Sequence, residues 1–323
     1  MKILVTGCAG FIGYHFTNNI LSKRNISVIG IDNINDYYDV NLKKNRLKNL
    51  KKNRNFIFHK IDLLEFNKLN KLIKNNKIKY IIHLAAQAGV RYSIENPRTY
   101  FDNNIKGFFN ILEISKINNI KHLIYASTSS VYGDNKEFPL SEEYKTDSPL
   151  SFYAASKKTN EVMAHSYSYI YKIPTTGVRF FTVYGPFGRP DMALFKFTKN
   201  ILNNKQIELF NGGLHVRDFT YVDDIINGII SIVNRPSKKD IPYNIFNIGN
   251  GKPKKLLDYL KNIEKNLDKT TKIKKLPLQV GDIVKTHSNI NKLNKFTGYK
   301  PKTNIKIGIE KFIEWYKDYY RIN

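Results

Sequence analysis

Residues 5–13 read VTGCAGFIG and set Gly7, Gly10 and Gly13 between an apolar run and an amphipathic one. The run before them, KILVT at 2–6, predicts a buried strand, and the stretch 11–23 predicts a helix. Glycines at such a turn allow tight bending and let a phosphate approach the positive end of the helix. A tight turn without a ligand is the alternative, but the order of strand, glycines and helix predicts a dinucleotide-binding turn.

A carboxylate stands at the end of the next predicted strand. Asp32 follows the apolar run 26–31 and lies 19 residues after Gly13. A carboxylate at this place accepts hydrogen bonds from the adenosine ribose and repels a 2′-phosphate. Because Asn33 rather than Arg follows it, the pattern favours NAD over NADP as cofactor. The cofactor contacts predicted from this region are Gly7, Gly10, Phe11, Ile12, Gly13, Asp32 and Asn33.

Short apolar runs alternate with longer amphipathic stretches through the first half of the chain, as in a parallel sheet with crossover helices. The further strands are predicted at 26–31, 55–61, 79–84, 121–126 and 174–180. The further helices are predicted at 39–52, 65–76, 98–118 and 152–171.

We therefore predict an α/β fold of two parts. Residues 1–181 form a Rossmann-type, doubly wound parallel sheet, which part of 217–248 completes. Residues 182–323 form mainly a smaller C-terminal lobe that binds substrate. Within that lobe the Lys-rich stretch 252–275 carries apolar residues at helical spacing, which predicts a helix with a solvated face.

The formal net charge of +26 over 323 residues is typical of proteins that bind nucleic acid. Arg supplies only 10 of the 53 basic residues, however, and the Lys surplus accompanies abundant Asn and Ile along the whole chain. That pattern favours compositional drift over a nucleic-acid-binding surface, because Arg is the residue that most often forms bidentate hydrogen bonds with bases and phosphates. We predict no nucleic-acid partner.

Cellular location is predicted from what the chain lacks. Cys8 is the single cysteine, so no intrachain disulfide forms and a reducing compartment is favoured. The N-terminus has no signal-peptide pattern, and no window reaches about 18 unbroken apolar residues. We expect a cytoplasmic protein without a membrane partner. The histidines show no metal-ligand spacing, and we expect no metal.

Tyr153 and Lys157, in YAASK at 153–157, are four residues apart and share one face of a predicted helix. A nearby ammonium favours the phenolate form of Tyr and would lower its pKa toward the working range. Such a pair is often only a surface Tyr and Lys. Here Thr128, in YASTSSVYG at 125–133, lies at the end of a predicted strand, where open α/β sheets bind ligands.

The Gly-x-x-Gly-x-x-Gly spacing, followed by Thr128, Tyr153 and Lys157 in this order, resembles the extended short-chain dehydrogenase/reductase superfamily. The resemblance implies that these three residues are catalytic. Tyr153 would take a proton from a sugar hydroxyl while hydride passes to NAD, and Tyr153 and Lys157 would also contact the cofactor. It implies further cofactor contacts at Asp62, Leu63, Ala85, Ala86, Gln87 and Asn104.

Ser129 and Ser130 stand where related families carry an acidic residue. In sugar-nucleotide 4,6-dehydratases and in UDP-glucuronate decarboxylases a carboxylate precedes the VYG segment and serves chemistry at the neighbouring carbons. With no carboxylate here, the predicted fate of the ketone is rotation and return of hydride to its other face. That reaction is epimerisation at C4.

Four segments, 30–47, 85–97, 185–201 and 217–225, resemble the UDP-glucuronate 4-epimerase family, most specifically through DNINDYYD and GRPDMA. The resemblance implies a UDP-sugar substrate and a homodimer built on the helices at 98–118 and 152–171. It implies substrate contacts at Thr128, Ser129, Ser130, Thr182, Arg189, Arg217 and Asp282.

The Arg189 guanidinium suits the carboxylate of a glucuronate. Its alternative role is a loop salt bridge with Asp191, and for Arg217 the alternative is a structural pairing with a neighbouring Asp. Three other functions stay open: a UDP-hexose or UDP-N-acetylhexosamine 4-epimerase, a UDP-glucuronate decarboxylase, and a sensor or nucleic-acid-binding protein on a vestigial fold.

Overall fold

A seven-stranded sheet forms the centre of the computed structural model, which describes residues 1–322. All neighbouring strands in it run parallel. Its strands are β1 (Lys2–Thr6), β2 (Ser27–Asp32), β3 (Phe56–Lys60), β4 (Tyr80–His83), β5 (His122–Thr128), β6 (Thr175–Phe180) and β11 (Tyr243–Ile248). The order across the sheet is β11-β6-β5-β4-β1-β2-β3. Chain order reverses between β1 and β4, so the predicted doubly wound sheet is confirmed.

Both faces of this sheet are covered by helices, and the described residues contain twelve α-helices in all. They are α1 (Phe11–Leu21), α2 (Val40–Leu50), α3 (Phe66–Asn75), α4 (Tyr92–Glu95), α5 (Pro97–Tyr100), α6 (Gly107–Ile117), α7 (Phe152–Tyr171), α8 (Ala193–Leu202), α9 (Val222–Val233), α10 (Leu256–Leu267), α11 (Asn291–Thr297) and α12 (Ile305–Tyr320). Successive strand side chains point to opposite faces. Ile3 and Val5 of β1 therefore join a core with α1 and α9, whereas Leu4 joins a second core with α3, α6 and α7.

The remaining strands form three two-stranded pairs beyond the sheet. They are β7 (Thr182–Tyr184) with β10 (Phe219–Tyr221), β8 (Ile207–Phe210) with β13 (Ile273–Leu276), and β9 (Val216–Arg217) with β12 (Lys254–Lys255). These pairs and β11 were not among the predicted strands. The division into two lobes at residue 182 stays a prediction. Asn323, the last residue of the predicted C-terminal lobe, lies outside the described residues.

Two helical predictions met different outcomes. The Lys-rich stretch does contain a helix, α10, which buries Tyr259, Leu260, Ile263 and Leu267. The single helix predicted at 98–118 is wrong in detail, because a π-helical segment at Phe101–Lys106 separates α5 from α6. Within residues 1–322 every helix is too short or too polar to span a membrane.

Candidate active site

A cavity of about 970 Å³ opens at the carboxyl ends of the central strands. The glycine turn, the ends of β2, β4 and β5, the start of α7 and the segments after β6 all line it. The predicted site residues that line it are Gly7, Gly10, Phe11, Ile12, Gly13, Asp32, Asn33, Leu63, Ala85, Ala86, Gln87, Thr128, Ser129, Ser130, Tyr153, Lys157, Thr182, Arg189, Arg217 and Asp282. Asp62 and Asn104 are the two predicted residues that do not line it.

The glycine turn is packed too closely for side chains. Gly7 has a φ of +71°, and a Cβ there would lie 2.7 Å from the amide nitrogen of Ala85. A Cβ on Gly13 would lie 2.0 Å from the carbonyl oxygen of Gly7. The first amides of α1 therefore stay open to the cavity, which is the arrangement that suits a pyrophosphate.

Asp32 lies beside this turn with both oxygens hydrogen-bonded. Its carboxylate accepts from the amides of Ala9, at 3.1 Å, and Ile34, at 2.8 Å. Burial raises the pKa of Asp32, against the opposing effect of those hydrogen bonds and of Lys43. A carboxylate oxygen has more than one lone pair, so Asp32 can still accept from a ribose diol.

Asp62 contacts a residue that lines the cavity without lining the cavity itself. It accepts a hydrogen bond of 2.8 Å from the Asn33 side-chain amide and does not line the cavity. Its side chain therefore orients Asn33, and the predicted direct contact with the cofactor stays a prediction.

Asn104 likewise acts through a neighbour. It is 1% exposed, accepts from the Gln87 amide at 2.8 Å and donates to the Gln87 carbonyl at 2.9 Å. Gln87 itself is buried at the cavity, and its Nε2 has no hydrogen-bond partner among residues 1–322. A bound dinucleotide, which is rich in oxygen acceptors, fits such an unpartnered donor.

Thr128, Tyr153 and Lys157 come together where β5 meets α7. Ser151 caps α7 by accepting from the Ala154 amide at 3.2 Å, and this fixes where the helix begins. Lys157 is 2% exposed, and its ammonium donates to the Ala126 carbonyl at 3.0 Å. Burial lowers the pKa of Lys157 to about 8. Thr128, Tyr153 and Lys157 therefore lie together, as the sequence predicts.

The predicted lowering of the Tyr153 pKa by Lys157 is not found for the protein residues alone. Burial raises the pKa of Tyr153, and the groups that oppose the rise are the Thr128 hydroxyl and the Arg189 charge. Arg189 thus acts electrostatically on the phenol, a connection that the sequence did not suggest.

A buried ion pair holds α7 against the sheet beside the trio. Glu161 lies one turn after Lys157 and accepts from the Arg179 Nε and Nη2 at 2.8 and 2.7 Å. Ser127, the neighbour of Thr128, donates to the same carboxylate at 2.6 Å. Sequence analysis missed this pair, although the four-residue step from Lys157 to Glu161 was a signal that both share one face.

Arg189 forms the salt bridge that was its alternative role. Its Nε and Nη2 both donate to Asp191, at 3.0 and 2.5 Å, and Tyr37 donates to the same carboxylate at 3.2 Å. Burial disfavours the charge of Arg189, but Asp191 outweighs it and the pKa of the guanidinium is raised. Arg189 has five N–H groups, so the pairing leaves three for other acceptors.

Arg217 and Asp282 lie in another part of the cavity. The Arg217 guanidinium donates to the Val284 carbonyl at 2.8 Å, and burial lowers its pKa to about 10. Its neighbour Asp218 instead accepts from backbone amides and from Ser288. Within residues 1–322 Arg217 forms no salt bridge with a neighbouring Asp, which was its alternative role. Asp282 pairs with Arg91 at 3.3 Å.

Thr182 begins β7 and completes the cavity wall beside Phe181 and Val183. Other lining residues were quoted in sequence motifs without being assigned a role, among them Asn35, Tyr37, Lys43 and Met192. In the described part of the chain, no group of three or more His, Cys, Asp or Glu side chains could hold a metal ion.

Comparison with known proteins identifies the family of this chain. A sequence model of the NAD dependent epimerase/dehydratase family matches residues 3–249. Protein CapI of Staphylococcus aureus is 50% identical over 99% of this chain and all of its own length. A probable UDP-glucuronate 4-epimerase of Rhizobium meliloti is 40% identical over 99% of this chain and 98% of its own.

A solved structure agrees with these relatives. The UDP-glucuronic acid 4-epimerase of Bacillus cereus, in complex with UDP-glucuronic acid and NAD, superposes with a TM-score of 0.93. It is 35% identical, and the match covers 99% of this chain and all of the other. This chain belongs to the NAD dependent epimerase/dehydratase family.

Proposed function

We propose that the protein is an NAD-dependent isomerase that inverts C4 of UDP-glucuronate to give UDP-galacturonate. One observation carries the proposal: Thr128, Tyr153 and Lys157 meet in a single cavity with Arg189, whose charge acts on the Tyr153 phenol. The relatives named above as UDP-glucuronate 4-epimerases support the choice of substrate.

Tyr153 is the base of the reaction. As the phenolate it takes the proton of the C4 hydroxyl while Thr128 hydrogen-bonds the same oxygen. Bound NAD would supply a reversible hydride acceptor for C4, and the glycine turn, Asp32 and Lys157 would hold it. Tyr153 returns its proton to the C4 oxygen after the 4-keto sugar has turned over and has regained the hydride on its opposite face.

Lys157 orients the cofactor. An ammonium has three N–H groups, and Ala126 takes one of those on Lys157. Two remain for the hydroxyls of the nicotinamide ribose. Since Tyr153 is buried and its pKa raised, the phenolate needs nearby positive charge, which Arg189 supplies and to which the nicotinamide ring of bound NAD would add.

Epimerisation is favoured over elimination by the residues next to Thr128. Ser129 and Ser130 offer hydroxyls to the sugar and no carboxylate to remove a second proton. Elimination at the neighbouring carbons is therefore disfavoured, and the ketone is left to regain hydride at C4. Thr182 lines the same cavity and adds a further hydroxyl toward the sugar.

Arg189 receives the sugar carboxylate with the N–H groups that Asp191 leaves free. The 4-keto intermediate is a β-keto acid, which loses carbon dioxide when its C–C bond aligns with the carbonyl π system. Fixing and neutralising the carboxylate suppresses that loss. Arg217 is assigned to the diphosphate and Asp282 to the uridine ribose. The positive net charge of the protein helps to attract a substrate with about three negative charges.

A neutral-sugar epimerase is the second candidate, and the Arg189–Asp191 pair is the observation that favours it. If the pair stays closed during binding, Arg189 offers a ligand less positive charge than the sequence suggests. UDP-glucose and UDP-N-acetylglucosamine would then be turned over at least as well as UDP-glucuronate.

We also propose that the enzyme is a homodimer. The side chains of Phe101, Phe109, Ile117, Val162 and Tyr169, on the segment 101–117 and on α7, are between 45 and 58% exposed. Apolar side chains on two adjacent helical segments are typical of a helical interface between copies. A cytoplasmic location remains a prediction.

The test is incubation with UDP-glucuronate and NAD, with products resolved by NMR. UDP-galacturonate is expected. UDP-xylose as the only product would identify a decarboxylase, and turnover of neutral UDP-sugars alone would identify the second candidate. Tyr153→Phe should abolish turnover and retain NAD, whereas Tyr169→Phe, an exposed position outside the cavity, should change neither.

A further inference from the structure

Arg46 on α2 is a fully buried cation without an ion-pair partner. Its side chain is 0% exposed, and none of the salt bridges within residues 1–322 includes it. Burying a charge without a partner is costly unless hydrogen bonds compensate for the lost water. The bonds that Arg46 makes therefore show what it does.

The guanidinium of Arg46 joins two functional segments. Its Nη1 donates to the Ala9 carbonyl at 2.8 Å and to the Tyr38 hydroxyl at 2.7 Å. Its Nη2 donates to the carbonyls of Phe187 and Gly188 at 2.6 and 3.3 Å. Ala9 lies inside the glycine turn, and Gly188 directly precedes Arg189. One rigid, planar group thus contacts both the cofactor turn and the segment that carries Arg189.

The segment before Arg189 needs external support to keep its path. Phe187 has a φ of +54°, which is unfavourable for a bulky side chain. Its ring packs between Tyr14 and Trp315, each with a centroid 4.9 Å away. The ring contacts fix one side of the residue, and the Arg46 bonds to the carbonyls fix the other. The direction of Arg189 therefore depends on Arg46.

The glycine turn is connected on its other side to the cofactor carboxylate. The Ala9 amide donates to Asp32 while the Ala9 carbonyl accepts from Arg46. A shift of the turn when a dinucleotide binds therefore reaches Arg46 through a single residue, Ala9. The same linkage operates in reverse, because coupling between two sites is reciprocal.

We propose that Arg46 is a positioning residue that couples the glycine turn to Arg189, so that dinucleotide binding and sugar-carboxylate binding strengthen each other. This inference rests on the proposed function, since it assigns Arg189 to the carboxylate. It adds that the two sites are energetically linked through one guanidinium. Lys cannot replace it, because a single ammonium lacks the fork that spans both sets of carbonyls.

The test compares NAD dissociation constants, by equilibrium dialysis, with and without saturating UDP-glucuronate. Both measurements use Tyr153→Phe protein to prevent turnover. We expect UDP-glucuronate to tighten NAD binding about tenfold, within the usual range of coupling. The ratio of the NAD dissociation constant without UDP-glucuronate to that with it is therefore about ten. Adding Arg46→Lys should bring this ratio to about one. The ratio measured with UDP, which has no sugar carboxylate, should be the same in both proteins.

Arg54→Lys is the matched control, because Arg54 is exposed, and its ratio should equal that of the parent. An undiminished ratio in folded Arg46→Lys protein would overturn the proposal. If that variant does not fold, Tyr38→Phe removes one acceptor of Arg46 and must still lower the ratio. A wild-type enzyme that does not convert UDP-glucuronate would defeat the proposed function, whereas an unchanged ratio in an active enzyme defeats only the coupling.

Discussion

Two bidentate Arg–carboxylate pairs flank the candidate active site, and they differ in what surrounds them. Glu161 and Arg179 lie under α7 with side chains 5 and 4% exposed. Asp191 and Arg189 lie at the cavity with side chains 30 and 20% exposed. Both pairs have the same chemistry, but only the second borders space that a substrate can enter.

The surroundings decide which pair is structural. Glu161 also accepts from Ser127, while Arg179 lies over the Tyr132 ring at 4.7 Å, so protein groups enclose the pair. Arg189 and Asp191 have Tyr37 as a further partner and the cavity beside them. The ion pair with Asp191 therefore does not by itself exclude a binding role for Arg189. Loss of the first pair should affect folding, and loss of the second should affect turnover.

The largest effect is expected from Glu161→Gln. It leaves the Arg179 charge buried without a partner, which should lower the free energy of unfolding by about 3–5 kcal/mol. Denaturant unfolding monitored by circular dichroism measures the change. Glu65→Gln, in an exposed pair with Lys68, should leave the free energy of unfolding nearly unchanged. Equal effects at the two positions would contradict the comparison.

Arg189→Gln should affect activity instead. Loss of the charge should lower kcat/KM for UDP-glucuronate about a hundredfold, the loss expected when one charge-assisted contact of about 3 kcal/mol is removed. It should also raise the share of decarboxylated product, while the unfolding free energy changes little. Steady-state kinetics and NMR of the products test this. Unchanged turnover and product mixture would refute the assignment of Arg189.

Lys157 extends the comparison as a buried cation that forms no salt bridge with a carboxylate of residues 1–322. Because burial lowers its pKa to about 8, its charge is present below that pH and is lost above it. We expect kcat/KM to fall about tenfold for each pH unit above about 8. Lys157→Arg keeps its charge over this range, so its residual activity should lack this fall. The same alkaline fall in both proteins would show that another group is responsible.

Asp191→Asn should give the smallest effect. The change keeps the shape of the side chain and removes the charge that competes with a substrate carboxylate, so KM for UDP-glucuronate should fall about threefold, a change of under 1 kcal/mol. The KM for UDP-glucose should stay the same. A rise in KM for UDP-glucuronate would mean that Asp191 chiefly orients Arg189 for binding.

Local patterns predicted the parts of the site that a single turn or helix defines. The glycine turn, Asp32 and the Tyr153–Lys157 spacing needed only the period of a helix and the order of strand and turn. Asp62 and Asn104 show the limit of a family pattern, because neither residue lines the cavity. The pattern did not show that their side chains contact Asn33 and Gln87.

Contacts between distant segments were not predictable in this way. Arg46 and Gly188 are far apart in the chain, as are Glu161 and Arg179, and no local periodicity relates them. β11 joins the sheet from within the predicted range 217–248, but no local pattern gave the bounds of this strand. The π-helical segment at Phe101–Lys106 has no sequence signature that distinguishes it from the flanking helices.

In the proposed reaction, hydride leaves C4 and returns to C4 of the same sugar. UDP-glucuronate labelled with deuterium at C4, incubated with the NAD-loaded enzyme in ordinary water, tests this by NMR of the products. We expect UDP-galacturonate that keeps deuterium at C4. Loss of the deuterium to solvent, or deuterium found only in UDP-xylose, would contradict it.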